Sequence, residues 1–275
     1  MGRIIAESQT IAGIPVMTLI PEGAERCPVV FYIHGFSGCK EHEMIMGYRL
    51  ARAGIIYVAF DALWHGERAD ERTPHAWDSD PAADIYPDET GLDRFLRMHQ
   101  VIIQCAEDFA TLMAHFVGDS RMDLERVGVT GISMGGFATH YLAAADPRVK
   151  VAAPIVGIPA FTARWMDVTL EAASYERWRE AMAAVDVKTD AFTAWMQEVD
   201  PFKRLADFAP RPLLMVCGDR DVDCPKVYSV QLYRSLLEHY GETPERLRLS
   251  IHDGADHRVT EGMELEVIEW FKRYL

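Results

Sequence analysis

The sequence predicts an α/β protein with a mostly parallel central sheet, helices on both faces and a small helical cap inserted over it. Short apolar runs rich in β-branched and aromatic residues alternate with segments of helical period along the 275 residues. The composition, 49% hydrophobic and 25% charged, is that of a globular chain and disfavours disorder, collagen and coiled coil.

The elements follow in chain order. Ile4–Ser8 and Ile14–Ile20 are split by Ala12-Gly13, which predicts a hairpin. Pro28–Ile33 (PVVFYI) and Ile55–Phe60 (IIYVAF) read as buried strands. Leu92, Phe95, Leu96, His99, Ile102, Ile103, Ala106, Phe109, Leu112, Met113 and Phe116 recur at helical spacing, with Thr90 and Asp93 as a capping start. Arg126–Gly131 (RVGVTG) is a strand running into the helix-like FATHYLAAA. Val149–Val156, Pro212–Cys217 and Arg246–His252 are three more strands. Thr260–Leu275 closes as an amphipathic helix through Val267, Ile268, Phe271 and Leu275.

Two segments break this rhythm. Glu67–Asp93 is polar, carries Pro74, Pro81 and Pro87, and reads as a long surface loop. Residues 157–201 stand where a connection should be brief. Tyr175, Trp178, Met182 and Val185, then Phe192, Trp195, Met196 and Val199, fall at helical spacing. This is a helical insertion within one domain spanning 1–275, too short to bury a core of its own.

The charge of −14 repels phosphate backbones and excludes nucleic acid as an expected partner. No apolar run reaches the roughly 18–20 residues that span a bilayer, so no membrane is expected. MGRIIAESQT lacks a long apolar core and has Ala6 where myristoylation needs Ser or Thr, which predicts neither a signal peptide nor that anchor. Five cysteines, odd in number and without a CxxC pair, predict free thiols in a reducing cytoplasm, although a Cys217–Cys224 bridge is compatible with the sequence. The oligomeric state is not determined by the sequence.

The strand RVGVTG leads into Gly131-Ile132-Ser133-Met134-Gly135-Gly136, a G-x-S-x-G in the strand–turn–helix context the motif requires. A sharp turn must hold the serine with its hydroxyl exposed, and side chains two positions to either side would collide with the neighbouring strand and helix. The strand PVVFYI ends in His34-Gly35-Phe36-Ser37-Gly38, on the edge where ligands bind in such sheets. The backbone N–H groups of Phe36 and Met134 are the expected oxyanion donors. His34 is expected to brace that loop by hydrogen bonds.

After PLLMVC comes Gly218-Asp219-Arg220-Asp221-Val222-Asp223-Cys224-Pro225. The acidic run fails the calcium-loop pattern, with Cys224 at the glycine position and Val230 at the glutamate position, so no metal is expected. Asp221 is the choice for a carboxylate that orients a histidine. Asp223 can instead cap the next helix, and Asp219 can be a solvated or loop-bracing charge. Of ten histidines, His257 in Asp253-Gly254-Ala255-Asp256-His257 lies between the last strand and the last helix. His252 at a strand end and His239 in a helix are expected to be structural. The order Ser133, Asp221, His257 provides a nucleophile, an orienting acid and a general base with a suitable pKa.

On HGFSG at 34–38, DALWHGER at 61–68, GISMGG at 131–136, GDRDVDCP at 218–225 and GADH at 254–257, the chain resembles the α/β-hydrolases. The similarity, from about Pro15 onward, is to the dienelactone-hydrolase-like and prolyl-oligopeptidase-like serine esterases, and most of all to small bacterial carboxylesterases. The resemblance implies hydrolysis of small-molecule esters with small to medium acyl groups, through an acyl-enzyme and with no cofactor. It also implies that Asp61 to Gly66 is structural. The departures are Ser133 where dienelactone hydrolases use cysteine, no room for a propeller, and Phe36 and Ser37 in place of the glycines of an HGGG loop. Amidase, peptidase or acyltransferase chemistry on the same triad, and a silent binding module, are the rivals. Trp64, Trp165 and Trp195 are the expected substrate contacts, against the plain alternative that the insertion's Trp165 and Trp195 only pack it onto the sheet.

Overall fold

A computed structural model describes residues 2–69, 91–166 and 190–275, without the side chains of 91–97, 164–166, 190–193 and 195. Its strands are β1 Ile4–Ile11, β2 Ile14–Pro21, β3 Cys27–Ile33, β4 Ile56–Phe60, β5 Met122–Ile132, β6 Val151–Ile155, β7 Leu213–Gly218 and β8 Leu247–His252. The helices are α1 Met44–Arg52, α2 Gly91–His115, α3 Met134–Ala145, α4 Phe161–Met166, α5 Asp190–Val199, α6 Val227–Leu236 and α7 Glu261–Tyr274.

One eight-stranded sheet runs in the order β1-β2-β4-β3-β5-β6-β7-β8. β1 and β2 form the hairpin that Ala12-Gly13 predicts. Both turn residues have positive φ, 49° and 82°, the geometry that matches strand twist in a two-residue turn. β2 is antiparallel to β4, and every pairing from β4 through β8 is parallel. This is the α/β-hydrolase architecture.

Period-two alternation divides the core into two layers. On one face Val29, Phe31, Ile33, Val127 and Val129 pack with Ile102, Phe109 and Leu112 of α2, Phe137 and Leu142 of α3, and Leu232 of α6. On the other, Val30, Tyr32, Tyr57, Ala153 and Leu214 pack with Leu50 of α1 and Val267 and Phe271 of α7. α7 begins at Thr260, whose hydroxyl accepts the Met263 N–H, with Glu261 and Glu264 in its first turn and Lys272 and Arg273 in its last.

β5 begins four residues earlier than its apolar run suggests. Buried Asp123 accepts from Arg26 (3.3 Å) and Arg126 (3.1 Å), so paired charged residues extend the strand. α6 ends at Leu236, which places His239 in the turn after it rather than in a helix. The helix is N-capped at Lys226, whose own side chain makes no capping bond.

The expected surface loop lies largely outside the described residues, as do Thr90 and the centre of the expected insertion. The insertion's two flanks are described, and one buried carboxylate joins them. Asp200 accepts from the N–H groups of Phe161 (3.2 Å), Thr162 (2.9 Å) and Phe202 (3.0 Å). No helix among the described residues is long and apolar enough to cross a membrane. No disulfide joins any of the five cysteines, Cys217 and Cys224 included.

Candidate active site

Ser133 stands between β5 and α3 at φ 53° and ψ −115°, a sparsely populated conformation costing on the order of 1–3 kcal/mol. Its surroundings impose it. The Ser133 N–H donates to Ile155 O of β6 (3.0 Å), and its carbonyl accepts the Phe137 N–H (2.9 Å). A Cβ on Gly131 would lie 2.5 Å from Gly135 O and 2.6 Å from Ile33 O. The glycines therefore let β3, β5 and α3 converge under the serine.

The Ser133 hydroxyl meets His257 Nε2 at 2.9 Å, and His257 Nδ1 meets Asp221 Oδ2 at 2.8 Å. A carboxylate only accepts, so a neutral imidazole carries its proton on Nδ1 and turns the Nε2 lone pair toward the serine hydroxyl. Asp221 is itself fixed: its Oδ1 accepts the N–H groups of Asp223 (3.0 Å) and Cys224 (2.7 Å). The Asp221 side chain is fully buried, whereas that of His257 is 26% exposed. The carboxylate is sealed and solvent reaches the ring.

Two loops must touch for this to happen. The Arg220 N–H donates to Ala255 O (2.9 Å) and the Asp219 N–H to His252 O (3.1 Å). A Cβ on Gly218 would sit 2.4 Å from Ala255 O, so the glycine ending β7 permits that approach. Gly218 has this role without being singled out from the sequence, although a glycine directly before an acidic turn is a usable signal.

The loop after β3 lies against the serine. A Cβ on Gly35 would be 3.6 Å from Ser133 Cβ. The Gly38 N–H donates to Gly35 O (3.0 Å), closing a turn with Phe36 and Ser37 at its centre and Ser37 at φ 60°. Met134 is the first residue of α3, so its N–H is one of the first-turn donors without an intrahelical acceptor. His34 braces the loop: Nε2 accepts the Ala62 N–H (3.0 Å), so the proton sits on Nδ1, which donates to Gly35 O (2.7 Å). Burial, with His65 nearby, lowers its pKa to about 3 and keeps the ring neutral. His65 donates from Nδ1 to Leu63 O (2.8 Å) and packs between the rings of His34 and Phe36. Burial lowers its pKa as well.

Trp64 follows β4 on this edge, half-buried and at φ 62°, an outlier for a bulky residue of the kind that gathers at functional sites. Trp165 and Trp195 lie on α4 and α5, and their side chains fall outside the described residues. Asp221, Asp223 and His257 bring three potential ligand atoms within 4.8 Å of one another, but the first and last already bond to each other.

The prolyl oligopeptidase family model matches residues 98–275, more than half of the chain. The chain belongs to the prolyl oligopeptidase family. As a member, it carries Ser133, Asp221 and His257 within the matched region, whereas the loop at 34–40 and Asp61 precede it. "Putative esterase YitV" of Bacillus subtilis (strain 168) is 29% identical over 279 residues, covering 98% of each chain. "Esterase YjfP" of Escherichia coli (strain K12) is 26% identical over 272 residues, again covering 98% of each. Among solved structures, TT1662 from Thermus thermophilus superposes with a TM-score of 0.73 at 22% identity, over 99% of this chain and 98% of that one. Family membership thus agrees with the architecture that the sheet order establishes.

Proposed function

We propose that this protein is a serine carboxylesterase hydrolysing small to medium acyl esters through an acyl-enzyme. The observation that carries the reading is the unbroken chain of hydrogen bonds from Ser133 through His257 to Asp221. The esterase names of its relatives support it.

In this reading His257 Nε2 takes the hydroxyl proton as Ser133 Oγ attacks the ester carbonyl. Asp221 stabilises the imidazolium and holds its orientation. The N–H groups of Phe36 and Met134 receive the developing oxyanion, and His257 returns its proton to the departing alcohol. Water, deprotonated by the same ring, then attacks the acyl-enzyme and frees Ser133. Trp64, with Trp165 and Trp195 from the insertion, contacts the acyl group. The five thiols, none in a disulfide, support a reducing compartment such as the cytoplasm.

Ser133→Ala abolishes turnover of 4-nitrophenyl acetate while leaving the circular dichroism spectrum unchanged, and a fluorophosphonate labels the wild type at Ser133. Retained turnover in the variant sinks the assignment. The family match raises amide hydrolysis as a second reading, which a matched 4-nitroanilide decides.

A further inference from the structure

We propose that the buried Lys40–Asp61 pair is a positioning unit that holds the loop bearing the Phe36 N–H against Ser133. The inference deepens, and rests on, the triad reading above.

The loop from His34 to Lys40 is anchored at both ends by two successive residues that follow β4. At the near end the Ala62 N–H donates to His34 Nε2 (3.0 Å). At the far end Asp61 Oδ1 accepts the Lys40 N–H (2.7 Å), and Oδ2 accepts Lys40 Nζ (3.1 Å). The turn that presents Phe36 lies between these points. The Asp61 side chain is fully buried and that of Lys40 is 3% exposed.

The carboxylate is in turn over-determined. Its Oδ2 also accepts the Glu67 N–H (2.9 Å). Gly66, at φ 54°, leaves no room for a side chain, since a Cβ would lie 2.2 Å from the Asp61 carboxyl carbon. Arg68 donates to Asp61 O (3.0 Å) and pairs with Asp108 of α2, tying the clamp to the core. The remaining bonds of Lys40 run to Glu41 and Glu67, and neither member of the pair bonds to Ser133 or His257. Its effect therefore passes through the backbone.

A buried ion pair is weak evidence for stability, because desolvation offsets most of its attraction. What this pair delivers is a fixed position for the Lys40 backbone. An oxyanion donor works only when held in place before the reaction, and a misplacement of about 1 Å costs about 10²-fold.

Lys40→Met, Asp61→Asn and the apolar double variant K40M/D61L are compared with wild type on 4-nitrophenyl acetate, with urea midpoints measured alongside. A trifluoromethyl ketone that adds to Ser133 reports on tetrahedral-adduct affinity. The expected result in variants that fold is a kcat lower by about 10–100-fold, KM within about threefold, and ketone affinity reduced in parallel. An unchanged kcat in any folded variant overturns the proposal. So does loss of soluble protein in all three, which would make the pair a folding determinant. Wild type that turns over no ester sinks this inference together with the triad reading; wild-type turnover with kinetically normal variants sinks this inference alone.

Discussion

Gly135 comes so close to Ile33 that a Cβ on it would lie 1.9 Å from the Ile33 carbonyl oxygen. The first turn of α3 and the end of β3 are in backbone contact beneath Ser133, and the contact leaves no slack for even one methyl group. Gly135→Ala must displace one of them. The expected outcome is a destabilisation of at least about 1–3 kcal/mol by urea denaturation, with ester turnover lost in whatever remains folded. A normal midpoint and normal kcat would contradict this.

Asp221 and Asp223 differ in what they touch. Asp221 bonds to His257 and is sealed from solvent, whereas Asp223 is exposed and gives Asp221 its backbone N–H. Asp221→Asn is expected to lower kcat by about 10³–10⁴-fold, because an amide can hold the ring in the wrong tautomer. Asp223→Asn is expected to change kcat less than about threefold. Steady-state kinetics on one ester separates the two, and equal losses would contradict the assignment.

Stability should fall on the acid side. His34 and His140 are fully buried, and desolvation lowers each pKa to about 3. Between the ordinary histidine value near 6.5 and about 3, the unfolded chain binds protons that the folded chain refuses. Their contribution is complete above about pH 6.5 and declines as the pH falls through that window. Glu43, raised to about 7 by burial and by Glu264, acts in the opposite sense, favouring the folded state as the pH falls from about 7 to its ordinary value. The two histidines outweigh it. His140→Leu is expected to flatten the decline in urea midpoint between pH 7 and pH 4. An unaltered slope would count against the buried neutral ring.

Asp200 joins the flanks of the segment between β6 and β7 by accepting three backbone N–H groups. Asp200→Ala leaves those donors without their acceptor, at a cost of about 2–4 kcal/mol. Faster limited proteolysis between α4 and α5 should accompany the lower midpoint. Proteolysis at the wild-type rate would show that the carboxylate does not hold the two ends.

The turn at Ser133 and the hydrogen-bonded order Ser133, Asp221, His257 are legible in the sequence because each residue follows a strand, and a parallel sheet brings successive strand ends to one edge. The strands are legible for the same reason, except where β5 extends through Asp123 and Glu125, whose charges break the apolar run. The choice of Asp221 over its neighbours depends on local backbone bonds at Asp223 and Cys224, which spacing does not reveal. Lys40 is harder still. A lysine just after a turn reads as solvated, and only the meeting of two loops 21 residues apart buries it.

The Ser133 hydroxyl and the His257 ring it meets are separated by 124 residues of chain. At about 5–20 residues per second, a ribosome takes about 6–25 s to travel that interval. In the proposed triad, Ser133 therefore waits through that interval without its base, which emerges only after the residues between them have been made.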